Sequence, residues 1–167
     1  GSRYTHRYLP AAGIGGDNYP ILPLPDGCTA MMIADVSGHG VTAALISAMV
    51  KTSFENRVRL GGEPLAWAQG MNEDLCRSTL AEQFATAWLG RLDPVNNRLR
   101  YVVAGHCAPL RIVGGARGGL QRSEVLRGKG FMLGLDEQLP FMEHDAEFLP
   151  EDRLVLYTDG LVEVERE

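Results

Sequence analysis

The chain has no continuous run of basic residues. Arg57, Arg59, Arg98, Arg100, Arg117, Arg122 and Arg127 are scattered, and the formal net charge is −5. That excludes the electrostatic footprint of a nucleic-acid binder or of a domain held on an anionic membrane. Any phosphate handled here must be met locally, by a metal or a single arginine. Cysteine is scarce as well: Cys28, Cys76 and Cys107 lie far apart with no Cys-x-x-Cys pair. Neither a disulfide framework nor a cysteine metal site is expected, and a reduced, cytoplasmic compartment is the simplest reading. No apolar run approaches the length of a membrane span, no signal-peptide pattern opens the chain, and no internal repeat is present. Gly1 and Ser2 read as a cloning remnant.

What is there fits one globular domain over residues 3–167. The chain has 167 residues, of which 45% are hydrophobic and 22% charged, an ordinary balance for a domain with a sizeable core. Short apolar segments predict strands at 30–35, 84–92, 98–104, 110–113 and 153–158. The second and third of these are joined by Asp93, Pro94, Val95, Asn96 and Asn97, a hairpin loop by composition. Two helices are predicted in one block. The first runs from Gly40 to about Leu60, with Val41, Ala44, Leu45, Ala48, Met49 and Thr52 at helical spacing, and ends at Gly61 and Gly62. The second runs from about Glu63 to Leu80, with Pro64 in its first turn and Leu65, Ala68, Met71 and Leu75 on its buried face. Strands in a hairpin series beside a block of two helices do not alternate as βαβ units would. The pattern predicts an α+β fold: two antiparallel β-sheets in a sandwich flanked by helices.

Three aspartates stand out by their neighbours. Asp17 closes a glycine-rich stretch from Gly13, Asp35 ends an apolar strand and opens Asp35-Val-Ser-Gly-His-Gly40, and Asp159 ends another in Tyr157-Thr-Asp-Gly160. A carboxylate at the tip of an apolar strand is costly unless something positive meets it. No arginine or lysine is near in sequence, and a divalent cation such as Mg²⁺ or Mn²⁺, which favours oxygen ligands, is the other option. Read singly, each has a plainer explanation: Asp159-Gly160 as a turn, Asp35 as a helix cap, Asp17 as a loop tip. Asp26, in Pro25-Asp26-Gly27, is a turn residue.

Six stretches come in a recognisable order: Leu9 to Asp17 with Tyr19; Asp35 to Gly40 with Ala43 and Ala44; Phe84 to Thr86; Ala104 to His106 with Pro109; Leu133-Gly134; and Leu154 to Glu163. Together they make the chain resemble the SpoIIE/RsbU-like branch of the metal-dependent protein serine/threonine phosphatases, the PPM or 2C class. The resemblance implies two Mn²⁺ or Mg²⁺ ions bridged by Asp35, with the Val36 carbonyl on one ion, Asp159 on the other, and Asp17 holding waters. A water between the ions would attack phosphorus in line. It also implies a phosphoserine or phosphothreonine substrate on a regulatory protein of the anti-sigma-factor-antagonist type, a sensor domain on the same full-length chain, and helices near 60–80 that act as a switch.

The chain departs from the family pattern at Pro20, where an acidic residue is usual. A further acidic ligand is expected beyond Glu167, so the end of the chain reads as cutting the domain short and leaving the second metal site incomplete. These departures favour the alternative of a non-catalytic PPM-like binding module. A hydrolase of small phosphate esters is a third reading. His39 is a candidate phosphate contact or acid, weighed against local capping, and His106 is expected to fix a loop by hydrogen bonds.

Overall fold

The computed structural model describes residues 4–6, 16–78, 83–114 and 122–161. The start of the glycine-rich stretch before Asp17, the loop at 115–119 and the end of the chain after Leu161 lie outside the described residues. The elements are β1 (Ile21–Pro23), β2 (Thr29–Val36), α1 (Gly40–Arg59), α2 (Pro64–Ser78), β3 (Ala85–Asp93), β4 (Arg98–Ala104), β5 (Leu110–Val113), β6 (Arg122–Val125), β7 (Glu143–Glu147) and β8 (Arg153–Val155), followed by a 3₁₀ turn at Asp159–Leu161. They form two antiparallel sheets, one of order β1-β2-β3-β4-β7 and a smaller one of order β6-β5-β8. The fold is α+β with two antiparallel sheets and helices, as the pattern of elements predicts.

Period-two alternation assigns each face of the large sheet. Ala30, Met32, Ala34 and Val36 of β2, with Ala85, Ala87 and Leu89 of β3, pack against Ile46, Val50 and Phe54 of α1 and Trp67, Met71 and Leu75 of α2. The other face carries Met31, Ile33, Trp88, Leu99, Tyr101 and Val103, which meet Leu126, Leu154 and Leu156 between the sheets. Gly90 has a specific reason on that face, since a Cβ there would lie 2.2 Å from the Trp88 ring. The turn between β3 and β4 forms as its composition suggests. Asp93 Oδ1 accepts from the Val95 and Asn96 amides, each at 3.0 Å, and Asn97 takes φ +53°.

Two expectations are corrected. The first is the buried face of α1. Val41 is 71% and Leu45 63% exposed, while Ala43, Ile46, Ser47, Val50, Ser53, Phe54 and Val58 point inward. The first half of α1 is apolar almost all round, so periodicity offers two stripes. The stripe that wins carries Phe54, which meets Trp67 of α2 edge-on at 6.0 Å. The second is the last strand, which pairs only over Arg153–Val155, because its neighbour β5 is four residues long and β8 is the edge of its sheet among the described residues. α1 stops where expected, with Gly61 and Gly62 at φ +90° and +92°.

Candidate active site

Asp35 follows Met31 and Ile33 on the face between the sheets, but it sits at the strand end, where apolar packing stops. Its register partner on β3 is Thr86, whose hydroxyl lies 3.5 Å from the Asp35 carbonyl oxygen. Asp17 is brought alongside by its neighbour Asn18, which exchanges two backbone hydrogen bonds of 2.8 Å with Ala34. The Asn18 side-chain amide donates to the Ser47 carbonyl at 2.7 Å and the Ser47 hydroxyl at 2.5 Å, which ties this segment to the middle of α1. Asp159 comes from the small sheet, at the start of the 3₁₀ turn after β8. Its neighbour Thr158 donates a long hydrogen bond, 3.4 Å, to Asp17 Oδ2.

The three carboxyls thus come from three separated segments and feel one another. Burial, then the charges of Asp17 and Asp159, push the Asp35 carboxyl up to about 6, and Asp17 and Asp35 share a hydrogen bond. Asp17 is raised too, chiefly by burial, with Asp159 adding repulsion. Among the described residues none of the three pairs with an arginine or lysine. Among the described residues, negative charge is therefore concentrated without a counter-charge.

Val36 is buried, and its carbonyl faces the segment that leads to Asp17: a Cβ on Gly16 would sit 3.1 Å from that oxygen. Among the described residues no group of three or more His, Cys, Asp or Glu side chains is arranged to hold a metal ion. The donor set, carboxylates and a carbonyl beside space left by a glycine, nonetheless has the chemistry of a hard divalent cation that keeps much of its water.

Of the residues singled out from sequence, Asp17, Asp35, Val36 and Asp159 come to one end of the sandwich. His39 does not join them through any cap: it is exposed, and its side chain makes no capping bond to α1. Asp26 is a turn residue, accepting from the Cys28 amide at 3.0 Å and pairing with Arg91. His106 does hold a loop, through both ring nitrogens. Asn18, Thr86 and Thr158 were not singled out for the site. Thr86 and Thr158 lie in stretches that carry the family resemblance and Asn18 adjoins one, but the bonds they make span 20 to 141 positions of sequence.

The family model of Stage II sporulation protein E (SpoIIE) matches residues 25–167. Phosphoserine phosphatase RsbP of Bacillus subtilis is 26% identical over 160 residues, 93% of this chain and 38% of that protein. Phosphoserine phosphatase RsbU of the same organism is 25% identical over 165 residues, 95% of this chain and 46% of that protein. The chain therefore spans less than half the length of these curated relatives. Among solved structures, the RsbU and RsbW domains of Rv1364c from Mycobacterium tuberculosis superpose with a TM-score of 0.77 at 25% identity, over 93% of this chain and 42% of that one. The PP2C phosphatase domain of SpoIIE from Bacillus subtilis superposes at 0.73 and 21% identity, over 93% and 44%, a likeness of fold.

Proposed function

The chain belongs to the SpoIIE family, and on that premise we propose that it hydrolyses phosphoserine or phosphothreonine on a regulatory protein with the help of two Mn²⁺ or Mg²⁺ ions. The observation that carries this reading is the convergence of Asp17, Asp35 and Asp159 with no counter-charge among the described residues. A cluster that raises the Asp35 carboxyl to about 6 is costly by itself and is relieved by cations. Asp35 would be shared between the two ions, Asp159 and the Val36 carbonyl would each complete one, and Asp17 would orient waters. When bound, the ions would supply an acidified water and neutralise charge developing on the phosphoryl group. The chain's own part is to hold Asp17 and Asp35 beside the large sheet and Asp159 in the turn after the small one, in surroundings that make their charge costly until cations meet it. The distant homology to phosphoserine phosphatases supports a protein substrate, for which we name small regulators of the anti-sigma-factor-antagonist type, with a sensor domain on the full-length chain governing activity.

A second reading, a PPM-like module that binds without catalysis, is favoured by one observation: the described carboxylates do not close into a ready cage. Titrating Mn²⁺ into the protein with a phosphopeptide, and separately with an aryl phosphate, distinguishes the readings. Metal-dependent release of phosphate from the phosphopeptide is expected. Release from the aryl phosphate alone would move the substrate to small esters. Binding of phosphopeptide with no turnover at saturating Mn²⁺ would leave the binding module.

A further inference from the structure

His106 is only 8% exposed, yet both of its ring nitrogens are engaged, and by different sheets. Nδ1 lies 2.9 Å from the Thr86 hydroxyl on β3, and Nε2 lies 3.1 Å from the Tyr157 carbonyl, just after β8. A carbonyl only accepts, so Nε2 carries the proton, and in the neutral ring Nδ1 must then accept from Thr86. Burial pushes the His106 pKa down, which favours that neutral ring. The same loop grips Tyr157 a second time, since the phenol donates to the Ala108 carbonyl at 3.1 Å.

The backbone delivers His106 for this contact. Gly105 turns the chain out of β4 at φ +69° while bridging to Ala87, one residue from Thr86, and a Cβ on Gly105 would lie 2.5 Å from Met132 Cγ. An unbroken path results: Asp35 lies opposite Thr86, Thr86 bonds His106, and His106 bonds Tyr157, two residues before Asp159. At this end of the sandwich the apolar core has run out, so polar bonds replace packing between the two layers.

We propose that His106 is a positioning residue that sets the spacing between the Asp35 arm on the large sheet and the Asp159 arm on the small one. The proposal rests on the phosphatase reading for its consequence but on hydrogen-bond geometry for its mechanism. The role assigned to His106 is indirect, since both of its ring nitrogens are taken up by Thr86 and Tyr157. His106 holds the carbonyl of Tyr157, and through it the turn that carries Asp159, at a fixed distance from β2.

The test uses this chain with Mn²⁺ as probe. Outer residues that orient ligands typically change metal affinity 10- to 100-fold when removed. Calorimetry of His106→Leu and of the near-isosteric Thr86→Val is therefore expected to show Mn²⁺ affinity reduced at least tenfold in each. The double variant should be no worse than the more severe single one, since the two bonds lie in series. His106→Gln, which keeps an amide donor for Tyr157, should recover part of the loss. In metal-free protein, amide exchange at residues 158–161 should quicken in His106→Leu and Thr86→Val while β2–β3 amides keep their protection. Asp35→Asn is the control. If it leaves Mn²⁺ binding intact, or the unaltered chain binds no Mn²⁺, the phosphatase reading falls and this consequence with it. If Asp35→Asn abolishes binding while Thr86→Val and the histidine variants bind normally, the reading stands and the positioning role is overturned.

Discussion

Two stretches of one strand pair, on one face and two residues apart, are held together by opposite means. Ile33 and its partner Trp88 are sealed between the sheets, Trp88 fully buried and stacked on Tyr101 at 5.9 Å. Asp35 and its partner Thr86 face the same way but meet no apolar cover among the described residues, and hydrogen bonds carry the contact onward to His106 and Tyr157. Packing is tolerant and strong where water is excluded. Directional bonds take over where that apolar cover ends, beside the proposed site. The variants below ask whether the two stretches fail in different ways.

The largest effect is expected at the polar end. Asp35→Asn should lower phosphatase turnover on the order of a thousand-fold, since it removes the carboxylate proposed to be shared between ions. Folding should be retained, because a clustered negative charge is lost. A phosphopeptide assay at saturating Mn²⁺ measures the first and circular dichroism the second. Turnover within a few fold of the unaltered chain would remove Asp35 from the mechanism.

The apolar end should fail by stability alone. Trp88→Ala removes a side chain with no exposed surface and is expected to cost about 3–5 kcal/mol, read as a lower urea midpoint with an unchanged slope. Activity per folded molecule should persist. A larger loss of turnover than of folded fraction would mean that the two ends are not mechanically separate.

This difference also sets what was legible in the sequence. The strands around Met31, Ile33 and Trp88 follow from apolar composition and from the hairpin loop at 93–97, and the two-sheet architecture follows from their order. Asp35 and Asp159 each have a plainer explanation alone, and only as a pair, joined by the family resemblance, do they point to a metal; in the structure Asp159 lies in the turn beyond β8. The bonds that fix them could not be flagged. Thr86 and His106 are 20 positions apart, His106 and Tyr157 51, and Thr158 and Asp17 141. Polar contacts between distant segments leave no periodicity, so only membership of a recognised stretch hints at them.

A smaller effect is expected from pH. The Asp35 carboxyl titrates near 6 in the fold, against 3.8 for an unhindered aspartate, so between these values the folded chain holds more protons than the unfolded one. Metal-free stability from this group is greatest below pH 4 and is lost as pH rises through 6. For a half-buried group the change is about 1–2 kcal/mol after solvent screening, a few degrees in melting temperature. Melting curves with chelator at pH 5 and 7.5 should show it. Asp35→Asn should lack this contribution while keeping those of Asp17 and His106, and should melt higher than the unaltered chain at pH 7.5. Equal pH dependence in both proteins would place the proton elsewhere.

The smallest effect is expected at Leu45 on α1, where two apolar stripes run side by side and Ile46 serves as the control on packing. Leu45 is 63% exposed and its neighbour Ile46 is 4% exposed, so the helix offers nearly isomeric side chains one residue apart in opposite surroundings. Helix propensity changes little when either becomes alanine, because leucine and isoleucine both lie within a few tenths of a kcal/mol of it. The difference between the two variants is then a difference in burial. Ile46→Ala opens a cavity beneath the large sheet and should cost about 2–4 kcal/mol, whereas Leu45→Ala should stay within about 0.5 kcal/mol of the unaltered protein. Parallel urea titrations decide it. Comparable losses at the two positions would mean that the Leu45 stripe is covered in solution, and that α1 presents a second packed face rather than a solvated one.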